Sequence, residues 1–109
     1  MLVDRVRAVL ASVRGVEEKR MFGGTTFMVN GKMCVSAGAH RLMCRIDPAL
    51  HEETVQRDGC RTVVMNGRKY KGFVHVSEEV LQSDADLRRW IELALAYNAK
   101  AKPARKPRA

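Results

Sequence analysis

Aromatic side chains are scarce in this 109-residue sequence, at 6%, against a hydrophobic fraction of 46%. Its core therefore has to be aliphatic and methionine-rich. Cysteine is sparse too: Cys34, Cys44 and Cys60 are odd in number, and no pair has C-x-x-C spacing. That argues against a disulfide scaffold and against a structural zinc site. His40, His51 and His75 are scattered without an H-E-x-x-H pattern, so neither a metal nor a cofactor is expected. No apolar run approaches the ~20 residues of a membrane-spanning helix. The first ten residues carry Asp4, Arg5 and Arg7, which no secretory apolar core would hold. Reduced thiols in a cytoplasm are the expectation. The phosphate-cradling patterns G-x-x-x-x-G-K-S/T and G-x-G-x-x-G are also missing.

What is present reads as one α+β domain. Leu2, Val3, Val6, Val9, Leu10 and Val13 recur at helical spacing, and Gly15 is a natural stop. Val16 to Phe22 reads as a short strand, broken by a hinge or bulge at Gly23-Gly24. Thr25–Val29 and Lys32–Ala37 flank Asn30-Gly31, the strongest short hairpin signal there is, because both residues tolerate positive φ. Arg41–Ile46 alternates as a half-buried strand. Asp47-Pro48 opens a helix expected over Ala49 to Arg57. A second hairpin turns at Asn66-Gly67. Ser77 caps a short helical turn, and Ser83 opens the last helix, whose apolar side holds Leu87, Trp90, Ile91 and Ala94. The expected order is α-β-β-β(-β)-α-β-β-α: an antiparallel sheet of five to six strands with three helices on one face.

The formal net charge is +8, but its placement matters more than its size. Lys100, Lys102, Arg105, Lys106 and Arg108 crowd the last ten residues, which contain no acid. Without those five, 15 basic residues face 12 acidic ones, a net charge of +3. The expected division is a domain over 1–99 and a basic, disordered tail over 100–109. Such a tail can meet nucleic acid weakly and without sequence preference.

Several motifs together resemble the TfoX N-terminal domain family (TfoX/Sxy-like). They are Arg20-Met21-Phe22-Gly23-Gly24, then Asn30-Gly31-Lys32-Met33, then Arg45-Ile46-Asp47-Pro48. Gly67-Arg68, Lys71 to Val76 and Leu87 to Ala94 complete the set. The resemblance implies an α+β fold like that of secretion chaperones. It also implies a relation to regulators of competence genes that act with the cyclic-AMP receptor protein. Those regulators carry a second, C-terminal domain. The 109 residues here resemble the short, single-domain relatives instead.

The candidate binding residues are Arg20, Phe22, Gly23, Gly24, Lys32, Arg45 and Lys71. Paired glycines beside an arginine can expose N–H groups to an anion, but they also serve as a plain bend. Arg20 can pair with Glu17 or Glu18. The four basic residues form a patch only if they share a sheet face; otherwise they are charges that protect edges. Cys34 and Cys44 read as buried, and Cys60, following Gly59, as the exposed thiol. No spacing ties Cys60 to His51 or His75 as a nucleophile pair. Trp90 reads as a core anchor. The expected function is a non-enzymatic interaction or regulatory module with a protein partner of unknown identity, or a homodimer. The alternatives are a nucleic-acid-associated protein and an anion- or small-ligand-binding domain at the RMFGG motif.

Overall fold

The computed structural model describes residues 1–101. The tail residues Lys102, Arg105, Lys106 and Arg108 lie outside them. The chain opens with α1 (Leu2–Val9), continued by a 3₁₀ turn over Leu10–Ser12. Four strands follow: β1 (Val16–Met21), β2 (Gly24–Val29), β3 (Lys32–Ala37) and β4 (Arg41–Arg45). A 3₁₀ turn (Pro48–Leu50) leads into the short α2 (His51–Thr54), then β5 (Cys60–Met65) and β6 (Arg68–Ser77). The last element among the described residues is α3 (Asp84–Asn98). The six strands form one antiparallel sheet ordered β1-β2-β3-β4-β6-β5. The chain leaves the sheet after β4, makes the far edge as β5, and returns as β6 to fill the gap.

Local chemistry accounts for the elements. Asp47 accepts a hydrogen bond from the Ala49 N–H at 2.9 Å, with Pro48 at the first turn. Ser83 caps α3 by accepting from the Asp86 N–H at 3.0 Å. The helix expected over Ala49 to Arg57 is shorter than its sequence signal. The α2 turn ends at Thr54, where the side-chain hydroxyl bonds back to the Leu50 carbonyl at 2.6 Å. Such back-bonding competes with helix continuation.

Three hairpin turns share one backbone signature, with positive φ at both central residues. Two are Asn30-Gly31 (53° and 78°) and Asn66-Gly67 (53° and 75°), as their sequences predict. The third is Phe22-Gly23 (58° and 75°). The hinge or bulge expected at Gly23-Gly24 is thus a tight turn, and Gly24 already belongs to β2.

The sheet has two dissimilar faces. On the first, α1 and α3 cover Phe27, Val29, Val35, Leu42, Cys44, Val74 and Val76, and Trp90 and Ile91 reach into them. Burying an aliphatic side chain of this size contributes about 1.5–3 kcal/mol, so this cluster dominates stability. The opposite face holds a smaller cluster of Met28, Met33, Met43 and Val63, with Met65, Tyr70 and Phe73 against it. A register shift extends this cluster by one ring. Thr62 pairs with Val74 but Val63 pairs with Tyr70, so Lys71, Gly72 and Phe73 are extra residues on β6. Val63 and Met65 share the face of Arg61 by alternation, and the three-residue offset puts Tyr70, which alternation from Val74 would place on the helix side, on that face with them. Flexible thioethers suit such an irregular surface.

Candidate functional site

The strand pairings place Lys19, Thr26, Ser36, Met43, His75 and Arg61 in one lateral row across the helix-free face. Thr26 and Ser36 are buried and joined, the threonine hydroxyl donating to the serine at 2.9 Å. His75 lies on β6, between Arg61 of β5 and the Met43 and Arg41 of β4. Arg41 is one step along β4 on the same face, opposite Ser77. These side chains border a cavity of about 410 Å³ lined by His40, Arg41, Gly59, Cys60, Arg61, His75 and Ser77. Beyond it, Phe22 reaches over the sheet from the β1–β2 turn and meets Ser36, Gly38, Arg41, Met43 and His75 around a small gap.

Burial, with Arg41 and Arg61 adding to it, lowers the His75 pKa to about 4. The ring is therefore neutral in the folded protein near neutrality. The unfolded chain takes up this proton near pH 6.5, whereas the fold resists it down to about 4. The unfolded state binds more protons in that window, so stability is lost as pH falls from about 6.5 to about 4, by at most about 1.4 kcal/mol per pH unit. Melting temperatures between pH 7.5 and 4 are expected to fall less steeply for His75→Gln than for the wild type. Parallel curves would remove His75 from the account.

The RMFGG residues meet the ends of the sheet. Arg20, Gly23 and Gly24 line two neighbouring cavities of about 280 and 390 Å³, the second shared with Met21 and Phe22. Lys32, Arg45 and Lys71 line neither. Lys32 begins β3, and Lys71 sits in the β6 bulge. The Arg45 guanidinium lies 5.6 Å from the Phe73 ring centroid and 5.7 Å from that of Tyr97. Arg20 does not take the acidic partner considered for it. Arg7 of α1 holds Glu18 instead, at 2.7 and 2.8 Å, and these bonds lower the glutamate's pKa. Of the basic tail, only Lys100 is described, and it pairs with Asp47 at 3.4 Å.

The cysteines are interior groups. Cys34 and Cys44 are fully buried; burial pushes the Cys34 pKa up to about 12, and Cys44 well above its usual value. Cys60 corrects the expectation of an exposed thiol: it is only 9% exposed and belongs to the main core. The turn ends at Gly59, so Cys60 is the first residue of β5, paired with Val76 on the helix-covered side. Burial raises its pKa to about 11, and it remains a protonated thiol. Cys60 and His75 border the same cavity from opposite sheet faces, with no hydrogen bond between them among the described residues. His51 is also structural, held between Gly72 and Thr62. Trp90 is the core anchor its spacing predicts, with the Arg57 guanidinium 5.2 Å from its ring.

Sequence reasoning missed Arg41, Arg61 and the position of His75 between them. Two of these residues precede the bulge in β6 and the third follows it, and no local spacing reports a three-residue offset in pairing. Among the described residues there is no cluster of three or more potential metal ligands, and no helix is long and apolar enough to cross a membrane.

No curated protein and no solved structure matches the chain. The TfoX N-terminal domain profile matches residues 8–97, from within α1 to the last turn of α3. With that span and the RMFGG turn, the double hairpins and the Trp90 helix all inside it, the chain belongs to the TfoX N-terminal domain family.

Proposed function

We propose that this domain is a non-catalytic interaction module that holds a protein partner at the open edge of β1, with Phe22 as the anchoring side chain. One observation carries the reading. Of the three turns with paired positive φ, two use asparagine at the first central position and the third uses Phe22. Asparagine tolerates the left-handed region; a phenylalanine there is strained by about 1–2 kcal/mol. The turn needs no bulky ring, and although one side of the ring reaches over the sheet, it remains 43% exposed beside Met21 at 37%. Strain retained at an exposed apolar residue points to a use outside the fold.

The adjoining edge suits the same purpose. Among the described residues β1 pairs only with β2, and five of its six residues are exposed. An extended partner segment can add there as a further strand, with main-chain hydrogen bonds for affinity and an apolar side chain against Met21 and Phe22 for specificity. Glu17, Lys19 and Arg20 on this edge discourage indiscriminate pairing. A regulatory role in transcription, in a cytoplasm, fits a module of this kind and the family's known members.

Phe22→Asn separates contact from fold. Relief of the φ strain offsets the lost ring packing, so the melting temperature is expected within ~5 °C of wild type, corresponding to about 1 kcal/mol. Affinity for a partner captured by the full chain and then purified is expected to fall at least ten-fold. Unchanged affinity in a folded Phe22→Asn variant sinks the proposal, and so does capture of nothing but further copies of this chain.

A further inference from the structure

We propose that the cavity between β4, β6 and β5 binds the phosphate group of a small molecule, with Arg41 and Arg61 as its two cationic arms and His75 and Ser77 between them. This goes beyond the partner contact at β1 and does not depend on it.

The placement follows from strand order. β6 lies between β4 and β5, so a ligand over His75 and Ser77 has an arginine on each side: Arg41, paired with Ser77, and Arg61, paired with His75. Neither arginine has a carboxylate partner among the described residues, whereas Arg5, Arg7 and Arg89 all do. No acidic side chain lines the cavity. Glu78, next in the chain to Ser77, is engaged by His40 at 3.2 Å. A guanidinium pair matches the geometry of a phosphate and grips its oxygens with directed N–H groups. The Ser77 hydroxyl accepts from the Glu79 N–H at 3.4 Å and keeps its own hydrogen for donation. A volume of about 410 Å³ falls among those of small-molecule sites.

A nucleic-acid strand is a poorer occupant. It would need a continuous basic track, and Lys32, Arg45 and Lys71 do not border this cavity. Beyond Arg41 and His75 stand Phe22, Ser36, Gly38 and Met43, none of them charged. The ligand therefore presents one phosphate to the arginines and an uncharged body to the Phe22 side.

The site carries its own reporter. The charged and titratable groups facing His75 are Arg41 on β4, Arg61 on β5 and His40 in the preceding loop. Burial and the two arginines hold the imidazole neutral. An anion bound between them counteracts their field, so binding raises the pKa of His75 and draws in a proton.

The test is an NMR titration of the full isotope-labelled chain with inorganic phosphate, run against chloride at equal ionic strength. The expected result is a saturable shift at the Gly59, Arg61, His75 and Ser77 amides. A raised His75 pKa in phosphate should accompany it, with at least ten-fold weaker binding in Arg61→Gln and in Arg41→Gln. Spectra away from the cavity establish that each variant is folded. If one variant is not, the other and the wild-type His75 titration decide. Identical shifts in chloride overturn the proposal, as does undiminished binding in a folded arginine variant or an unmoved His75 pKa. A single-stranded oligonucleotide that shifts these amides while inorganic phosphate does not also overturn the small-molecule assignment.

Discussion

His51→Ala is expected to destabilise the domain by about 3 kcal/mol, through a lost buried acceptor and the cavity left behind. His51 is buried, and both ring nitrogens are in use. The Gly72 N–H donates to Nδ1 at 2.9 Å, which makes Nδ1 the acceptor and leaves the hydrogen on Nε2. Nε2 then donates to the Thr62 hydroxyl at 2.8 Å. The imidazole thus joins α2 to both sides of the offset in the β5–β6 hairpin. Gly72 is in the left-handed region at φ 90°, and a Cβ there would press on Pro48 and the Ile46 carbonyl. Among the described residues this peptide N–H has no strand partner, and its hydrogen bond goes to His51. Thr62→Val removes one hydrogen bond and leaves the Gly72 N–H paired, so it should cost about 1 kcal/mol. Urea unfolding of both variants measures the difference. A loss below ~1 kcal/mol for His51→Ala would mean that the bulge is held by something else. The same bulge precedes His75, so its loss should also blunt any phosphate response.

Gly24→Ala is expected to have an effect of the same size, for a steric reason. A Cβ at Gly24 would strike the Ala37 carbonyl oxygen and come within 3.1 Å of the Gly38 Cα. Both obstacles are backbone, so β2 and β3 would have to separate at this end. Forced overpacking of this kind costs about 3 kcal/mol, and in a domain this size lowers the melting temperature on the order of 15 °C. Gly23→Ala provides the comparison. Its added Cβ meets nothing within 4 Å, and only its φ of 75° resists substitution. It should cost about 1 kcal/mol. Equal melting temperatures for the two variants would refute this division of labour between adjacent glycines.

That division shows how far the RMFGG motif can be read from residues alone. Two glycines in a row announce a bend. They do not reveal that the turn is centred on Phe22-Gly23, with Gly24 flattened against the next hairpin. Phe22 is an improbable turn residue, so local preference pointed one residue too far along the chain. At Asn30-Gly31 and Asn66-Gly67, where preference and backbone agree, the hairpins stand where their sequences place them. Cys60 was misjudged for a related reason: its neighbours form a turn, but its exposure depends on Val76, sixteen residues later, and on the helices behind it.

The sequence by itself determined the succession of helices and strands, the two asparagine-glycine turns, the capped starts at Asp47 and Ser83, and the aliphatic character of the core. It also carried the family motifs. These are local properties, set by side-chain periodicity and by which φ angles a residue tolerates. Only the tertiary structure decided that β6 inserts between β4 and β5, that a three-residue bulge puts Tyr70 on the face of the methionine cluster, and that Arg41 and Arg61 stand on either side of His75. Those outcomes depend on pairings between residues far apart in the chain. Each is selected by burial and by hydrogen bonds such as those of His51, which no short stretch of sequence contains.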